Sequence, residues 1–190
     1  MKQVWLDLET TGLVIEDGAI LEVGLIVVSG DGTTPPEEVD YEAVVGGLGS
    51  DWTDMLPPVV EEMHLRNGLL NEVNGDDSLP LEVIEAQVVD LLSQFGEPGE
   101  FWLCGSGVAE FDRRWIDAYM PNLAKWFHYR SIDMGIIRRW LREIGVTEDY
   151  GFVSENETPH RALPDAQHAL DEHRWYSGIL ADHLMPEGRT

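Results

Sequence analysis

Asp7 and Glu9, two carboxylates two residues apart in the stretch WLDLETTGL, are the first residues in this chain whose types and spacing could do chemistry. In a β-strand, positions i and i+2 share a face, so both acids point the same way. Two like charges side by side are costly unless a cation sits between them. Leu6 and Leu8 then face the opposite side and belong to the core. Two more acids stand at expected helix starts: Asp112 in FDRRW, after the strand FWLCG and the turn Gly105-Ser106-Gly107, and Asp165 in HRALPDAQHAL. His160 lies five residues before Asp165, on the loop approach to the last helix. Taken singly, each has a plainer explanation: a solvated strand edge, a helix-start acid favoured by the macrodipole, a surface histidine.

Together, in the order D-x-E, D, H-x4-D, they are far less expected by chance. Hard divalent ions take oxygen ligands, and four carboxylates could hold two of them about 3.5–4 Å apart for in-line phosphoryl displacement. An imidazole titrates close to neutral pH and suits the removal of a proton from attacking water. Covalent catalysis fits less well, because Cys104 falls in an apolar strand and no G-x-S-x-G elbow is present.

The elements that must position these groups can be read from the hydrophobic pattern. Residues 3–8 and 19–28 are apolar, β-branched runs separated by turn residues, and a third strand spans about 40–46 after Gly30-Asp31-Gly32 and Pro35-Pro36. Pro57-Pro58 opens a helix through His64, and Gly68 breaks the chain into another short one. Ile84, Val88, Leu91, Leu92 and Phe95 recur at helical spacing. Strands at 101–105 and 128–132 alternate with helices at 113–120, 135–144 and 163–184, leaving 146–159 as the most loop-like part. An antiparallel meander followed by alternating helix and strand is an α/β pattern with a mixed sheet. The tryptophans at 5, 102, 115, 126, 140 and 175 are most simply core residues.

At 190 residues one domain spanning 1–190 is expected. Twelve Lys+Arg against thirty-six Asp+Glu give a net charge of −24, a field that repels a long polyanion unless metal ions or a local basic patch intervene. Any nucleic-acid substrate should therefore be short, or held by metal. One cysteine excludes an intramolecular disulfide and fits a reducing cytoplasm. No apolar h-region or membrane-length run is present, so a cytoplasmic protein with no membrane partner is expected.

The chain resembles the DEDDh-type 3′→5′ exonucleases of the ribonuclease H-like fold, and more narrowly the oligoribonucleases. The three exonuclease motifs are matched by DLETTGL, by the segment around Asp112, and by HRALPD at 160–165. The narrower match rests on Cys104-Gly105, Asp112-Arg113-Arg114, Tyr119-Met120-Pro121, and Phe127-His128-Tyr129-Arg130 followed by Asp133. The resemblance implies an α/β, ribonuclease H-like fold with a mixed five-stranded sheet flanked by helices. It implies Asp7, Glu9, Asp112 and Asp165 as ligands of two divalent ions, Mg²⁺ or Mn²⁺, His160 as general base, and release of nucleoside 5′-monophosphates from the 3′ ends of short single-stranded RNA. A homodimer is also implied, in which Tyr129 and Arg130 of one subunit complete the other's site. On the same resemblance, Gly12 would turn the chain so that Leu13 wedges against a base, Tyr129 would stack on one, and Arg138 would stand where the family caps a phosphate with lysine. Val59 replaces a stacking tryptophan and Gly135 a capping serine. DLETTGL is shared with proofreading DNA exonucleases, which keeps a DNA 3′→5′ exonuclease as the alternative.

Overall fold

In the computed structural model, which describes residues 2–30, 36–146, 152 and 159–184, β1 (Lys2–Thr10), β2 (Ile20–Ser29) and β3 (Glu37–Gly46) form the expected antiparallel meander. The turn residues 31–35 between β2 and β3 lie outside the described residues, as do 147–151 and 153–158 of the expected loop. After a 3-10 turn at Trp52–Met55 come α1 (Pro58–Arg66), α2 (Leu69–Glu72), β4 (Leu79–Pro80), α3 (Leu81–Ser93), β5 (Phe101–Gly105), α4 (Asp112–Tyr119), α5 (Pro121–Ala124), β6 (Phe127–Asp133), α6 (Met134–Glu143) and α7 (Ala162–Leu184). No helix among the described residues is long and apolar enough to cross a membrane.

The strands form one mixed sheet in the order β4-β3-β2-β1-β5-β6, with β1, β5 and β6 parallel. It has six strands where five were expected. The sixth, β4, is two residues long and pairs Leu79 with Val45 and Pro80 with Gly46, too short to leave an alternating pattern in the sequence.

Period-two alternation in β1 sorts its side chains onto two faces. Val4, Leu6 and Leu8 pack with Ile84, Val88 and Leu92 of α3 and with Trp115 and Ile116 of α4. Each such buried side chain contributes about 1.5–3 kcal/mol. Trp5 turns the other way, into a smaller cluster with Ile26, Met134, and Ala169 and Leu170 of α7. Strands β1 and β2 are central, and the α7 face of the pair reads Trp5, Asp7, Glu9 opposite Ile26, Gly24, Glu22. The carboxylates therefore lie at the C-terminal end of β1, under the start of α7.

Trp140 departs from the expected core assignment and is 56% exposed. Only Met134 and Ile137 of α6 meet the second cluster, so the row Ile136, Trp140, Ile144 faces outward.

Candidate active site

One carboxylate oxygen from each of Asp7, Glu9 and Asp165 lies within 4.8 Å of the others. Two come from one strand face, and the third comes from the first turn of α7 because Gly24 lets that helix down onto β2. A Cβ built on Gly24 would stand 2.1 Å from the Leu163 nitrogen and 2.3 Å from the Ala162 carbonyl carbon. Asp112, the first residue of α4, is fixed by the Leu8 amide, which donates to its Oδ1 at 3.0 Å. That amide belongs to the residue between Asp7 and Glu9, so Asp112 abuts the cluster, although the tight triad is formed by the other three.

The electrostatics follow from placing four acids in poor contact with water. Burial, followed by the charges of Asp112, Glu9, Asp165 and Glu22, holds Asp7 well above the usual carboxylate range. Burial and the charges of Asp165, Glu22 and Asp112 push Glu9 up to about 8, partly offset by Arg161. Burial raises Asp112 to about 7 against the pull of its backbone hydrogen bonds. Asp165 is raised to about 6, again chiefly by burial, with His160 opposing. Oδ1 of Asp165 is buried and has no hydrogen-bond partner among the described residues. An unpartnered carboxylate oxygen among acids that repel one another is the donor set a hard divalent cation fits.

His160 stands at the edge of this group, its Nδ1 3.9 Å from Asp165 Oδ2 and its side chain 57% exposed. It opens onto a cleft of about 910 Å³ that Val59, Met63, Arg66 and Asn67 also line. Just past the carboxylates, where β1 ends, the Thr10 hydroxyl donates to the Gly12 carbonyl at 2.8 Å, and the Thr11 hydroxyl accepts from the Ala19 amide at 2.9 Å. Gly12 has φ +150°, a region that favours glycine, and Leu13 beyond it is 81% exposed.

Tyr129 and Arg130 do not join the cluster of their own chain. Phe101 pairs with Lys2 and Phe127, and Leu103 with Val4 and Ser131, which sets Tyr129 level with about Gln3. It is therefore some 13 Å back along the strand direction from Asp7, and two strands across. Tyr129 is exposed, with the Arg130 guanidinium 5.1 Å from its ring centre. Arg138 pairs with the buried Glu172 at 2.6 Å and donates to the Ser106 hydroxyl.

No family model matches the chain. Curated proteins do. It is 31% identical over 182 residues to the oligoribonuclease of Bordetella pertussis, covering 96% of this chain and 94% of the relative. With the oligoribonuclease of Streptomyces coelicolor it shares 34% identity over 195 residues, covering 100% of this chain and 92% of that one. The chain belongs to the oligoribonuclease family. Among solved structures, the metal-free complex of E. coli exonuclease I with single-stranded DNA superposes with a TM-score of 0.65 at 14% identity, over 97% of this chain. This chain spans about 40% of that one. Cell-death related nuclease 4 follows at a TM-score of 0.60 and 12% identity. These likenesses establish a shared fold.

Within this member of the oligoribonuclease family, two residues at the site, His64 and Gly24, lie outside the set expected from the sequence. His64 is fully buried on α1, with Nε2 3.4 Å from the Thr10 carbonyl and 3.6 Å from Glu9. Burial lowers its pKa, which favours the neutral imidazole beside Glu9. Nothing in PVVEEMHLR distinguishes it from a surface histidine. Gly24 had a detectable signal, a lone glycine inside a β-branched strand, which marks close backbone approach.

Proposed function

We propose that this chain is a metal-dependent 3′→5′ exoribonuclease that shortens oligoribonucleotides to nucleoside 5′-monophosphates, working as a single catalytic domain in the cytoplasm. Its proposed ligands are Asp7, Glu9, Asp112 and Asp165. The observation that carries the reading is the convergence of carboxylate oxygens of Asp7, Glu9 and Asp165 within 4.8 Å of one another, with an Asp165 oxygen buried and unpartnered among the described residues. The donors are all hard oxygens, which favours Mg²⁺ or Mn²⁺ over softer metals. Bound ions supply Lewis-acid polarisation of the scissile phosphate and neutralise developing charge.

The chain's own residues do the rest. His160, exposed and adjacent to Asp165, takes the proton of the attacking water, and the Asp165 carboxylate stabilises the imidazolium that results. The turn at Gly12 presents Leu13 to the terminal base. Tyr129 stacks on a base, while Arg130 and Arg138 supply positive charge for phosphates in a strongly acidic molecule. Since Tyr129 and Arg130 lie away from their own cluster, they act on the site of a second copy. The outward apolar row Ile136, Trp140, Ile144 beside β6 supports a homodimer on that side.

Degradation of labelled RNA and DNA oligomers of two to about twenty nucleotides, with Mg²⁺ or Mn²⁺, tests this reading. Rates should be highest on the shortest RNAs and fall with length. Preference for long DNA would instead identify a DNA 3′→5′ exonuclease.

A further inference from the structure

His160 is a non-glycine residue with φ +52°, in the left-handed region that such a side chain adopts only when its surroundings impose it. The imposing contacts are visible on both sides. Ahead of it, the side-chain amide of Asn67 donates to the carbonyl oxygens of Pro159 at 3.2 Å and His160 at 2.5 Å. Behind it, Arg161 donates to the fully buried Glu22 at 2.6 Å and to Glu72 of α2 at 2.8 Å. The Ala162 amide completes the anchor by donating to Glu22 at 2.9 Å. Asn67 itself is held, since its Oδ1 accepts from the Leu69 amide at 3.0 Å. It is the residue that ends α1 and leads into α2.

We propose that Asn67 is a positioning residue for His160: by gripping the two carbonyls at residues 159 and 160 it fixes the left-handed backbone that aims the imidazole at the carboxylate cluster. The role rests on His160 being the general base. Arg161, clamped between Glu22 and Glu72, holds the following peptide, so the one hinge left to Asn67 is the approach from residue 159. A carbonyl accepts whatever donor is offered, whereas Asn67 meets two successive carbonyls from one nitrogen. This geometry fixes a peptide orientation as well as a position.

The test compares Asn67→Ala and Asn67→Asp in the full-length protein with Mn²⁺ and a short RNA oligomer. Aspartate keeps the acceptor for Leu69 and removes the donor to residues 159 and 160, so it separates positioning from capping of α2. Both variants should lose about tenfold or more in kcat with KM within about twofold, as expected when a reacting group is misplaced and binding is not. Their Mn²⁺ affinity should stay close to wild type, as should the thermal midpoint of Asn67→Asp, whereas Asn67→Ala also gives up the bond to the Leu69 amide and should melt a few degrees lower. In a His160→Ala background, where a residual rate is read at high enzyme concentration, Asn67→Ala should change it by less than about twofold. Wild-type kcat in Asn67→Asp, or an equal fold loss in both backgrounds, overturns the proposal and leaves the general-base reading standing. A wild-type rate in His160→Ala itself overturns both.

Discussion

Asp7, Glu9, Asp112 and Asp165 hold their protons more tightly than carboxylates in water, with Glu9 at about 8, Asp112 at about 7 and Asp165 at about 6, and Asp7 raised well above its ordinary value. The sign of the linkage follows. A carboxyl raised in the folded state binds more protons there than in the unfolded chain, so its contribution to stability is complete below roughly pH 4 and is lost as pH climbs through 6 to 8. A one-unit rise in pKa corresponds to about 1.4 kcal/mol, and 1 kcal/mol moves the midpoint of a domain this size by about 2–4 °C. The metal-free protein should therefore melt several degrees lower at pH 8 than at pH 5.5. Mg²⁺ or Mn²⁺ should restore more at the higher pH, where fewer protons compete for the same oxygens. Glu9→Gln removes one of the repelling charges, so thermal melts should show a higher metal-free midpoint at pH 8 and a smaller gain on adding metal. An unchanged pH slope in that variant would mean that Glu9 is already ionised in the metal-free protein across this range.

At the scale of elements, the site depends on how closely α7 approaches β2. Gly24 sits opposite Asp7 in register, and the atoms nearest a Cβ there are backbone atoms of residues 162 and 163, which cannot rotate away. Gly24→Ala should force the start of α7 outward, at about 1–3 kcal/mol, despite the gain of about 0.5–1 kcal/mol that alanine would bring to an unobstructed strand. Because Asp165 rides on that turn, displacement by about 1 Å should cost on the order of 10²-fold in activity and weaken Mn²⁺ binding seen by calorimetry. Gly178→Ala, on the same helix with open space around it, should leave both unchanged and stabilise slightly. The same elements show what the sequence could disclose. Asp7 and Glu9 were legible because a strand repeats every two residues, and Asp165 because it follows His160 just inside a helical pattern. The α3 core face was legible from its 3.6-residue period. Contacts between distant segments left much less trace: Glu22 buried against Arg161 looks like any strand acid, and His64 like any helix polar residue. Trp140 was misread because an amphipathic helix shows that it has an apolar face and not which neighbour covers it.

For the whole molecule, the separation of Tyr129 and Arg130 from the carboxylates of their own chain turns stoichiometry into a mechanistic question. A net charge of −24 discourages self-association through exposed acids, so a stable pair needs an apolar, locally basic surface. The β6–α6 side has both, with Tyr129, Ile136 and Trp140 exposed beside Arg130, Arg139 and Arg142. In the proposed twofold-symmetric dimer each chain would lend its Tyr129 to the site built on the other's Asp7. Asp7→Ala and Tyr129→Ala homodimers should then both be impaired, the second mainly through KM for short RNA. A heterodimer of the two, isolated with one tag on each chain, contains one site with both lesions and one with neither. It should recover about half of the wild-type activity, since the intact site is complete. If each chain used its own Tyr129, both sites would carry one lesion, and the heterodimer would be no more active than the mean of its parents. Trp140→Glu provides the matching physical measurement: a charge in the apolar row should shift the protein toward monomer in sedimentation, and activity should fall with the dimer fraction while each monomer keeps its carboxylate cluster and its affinity for Mn²⁺.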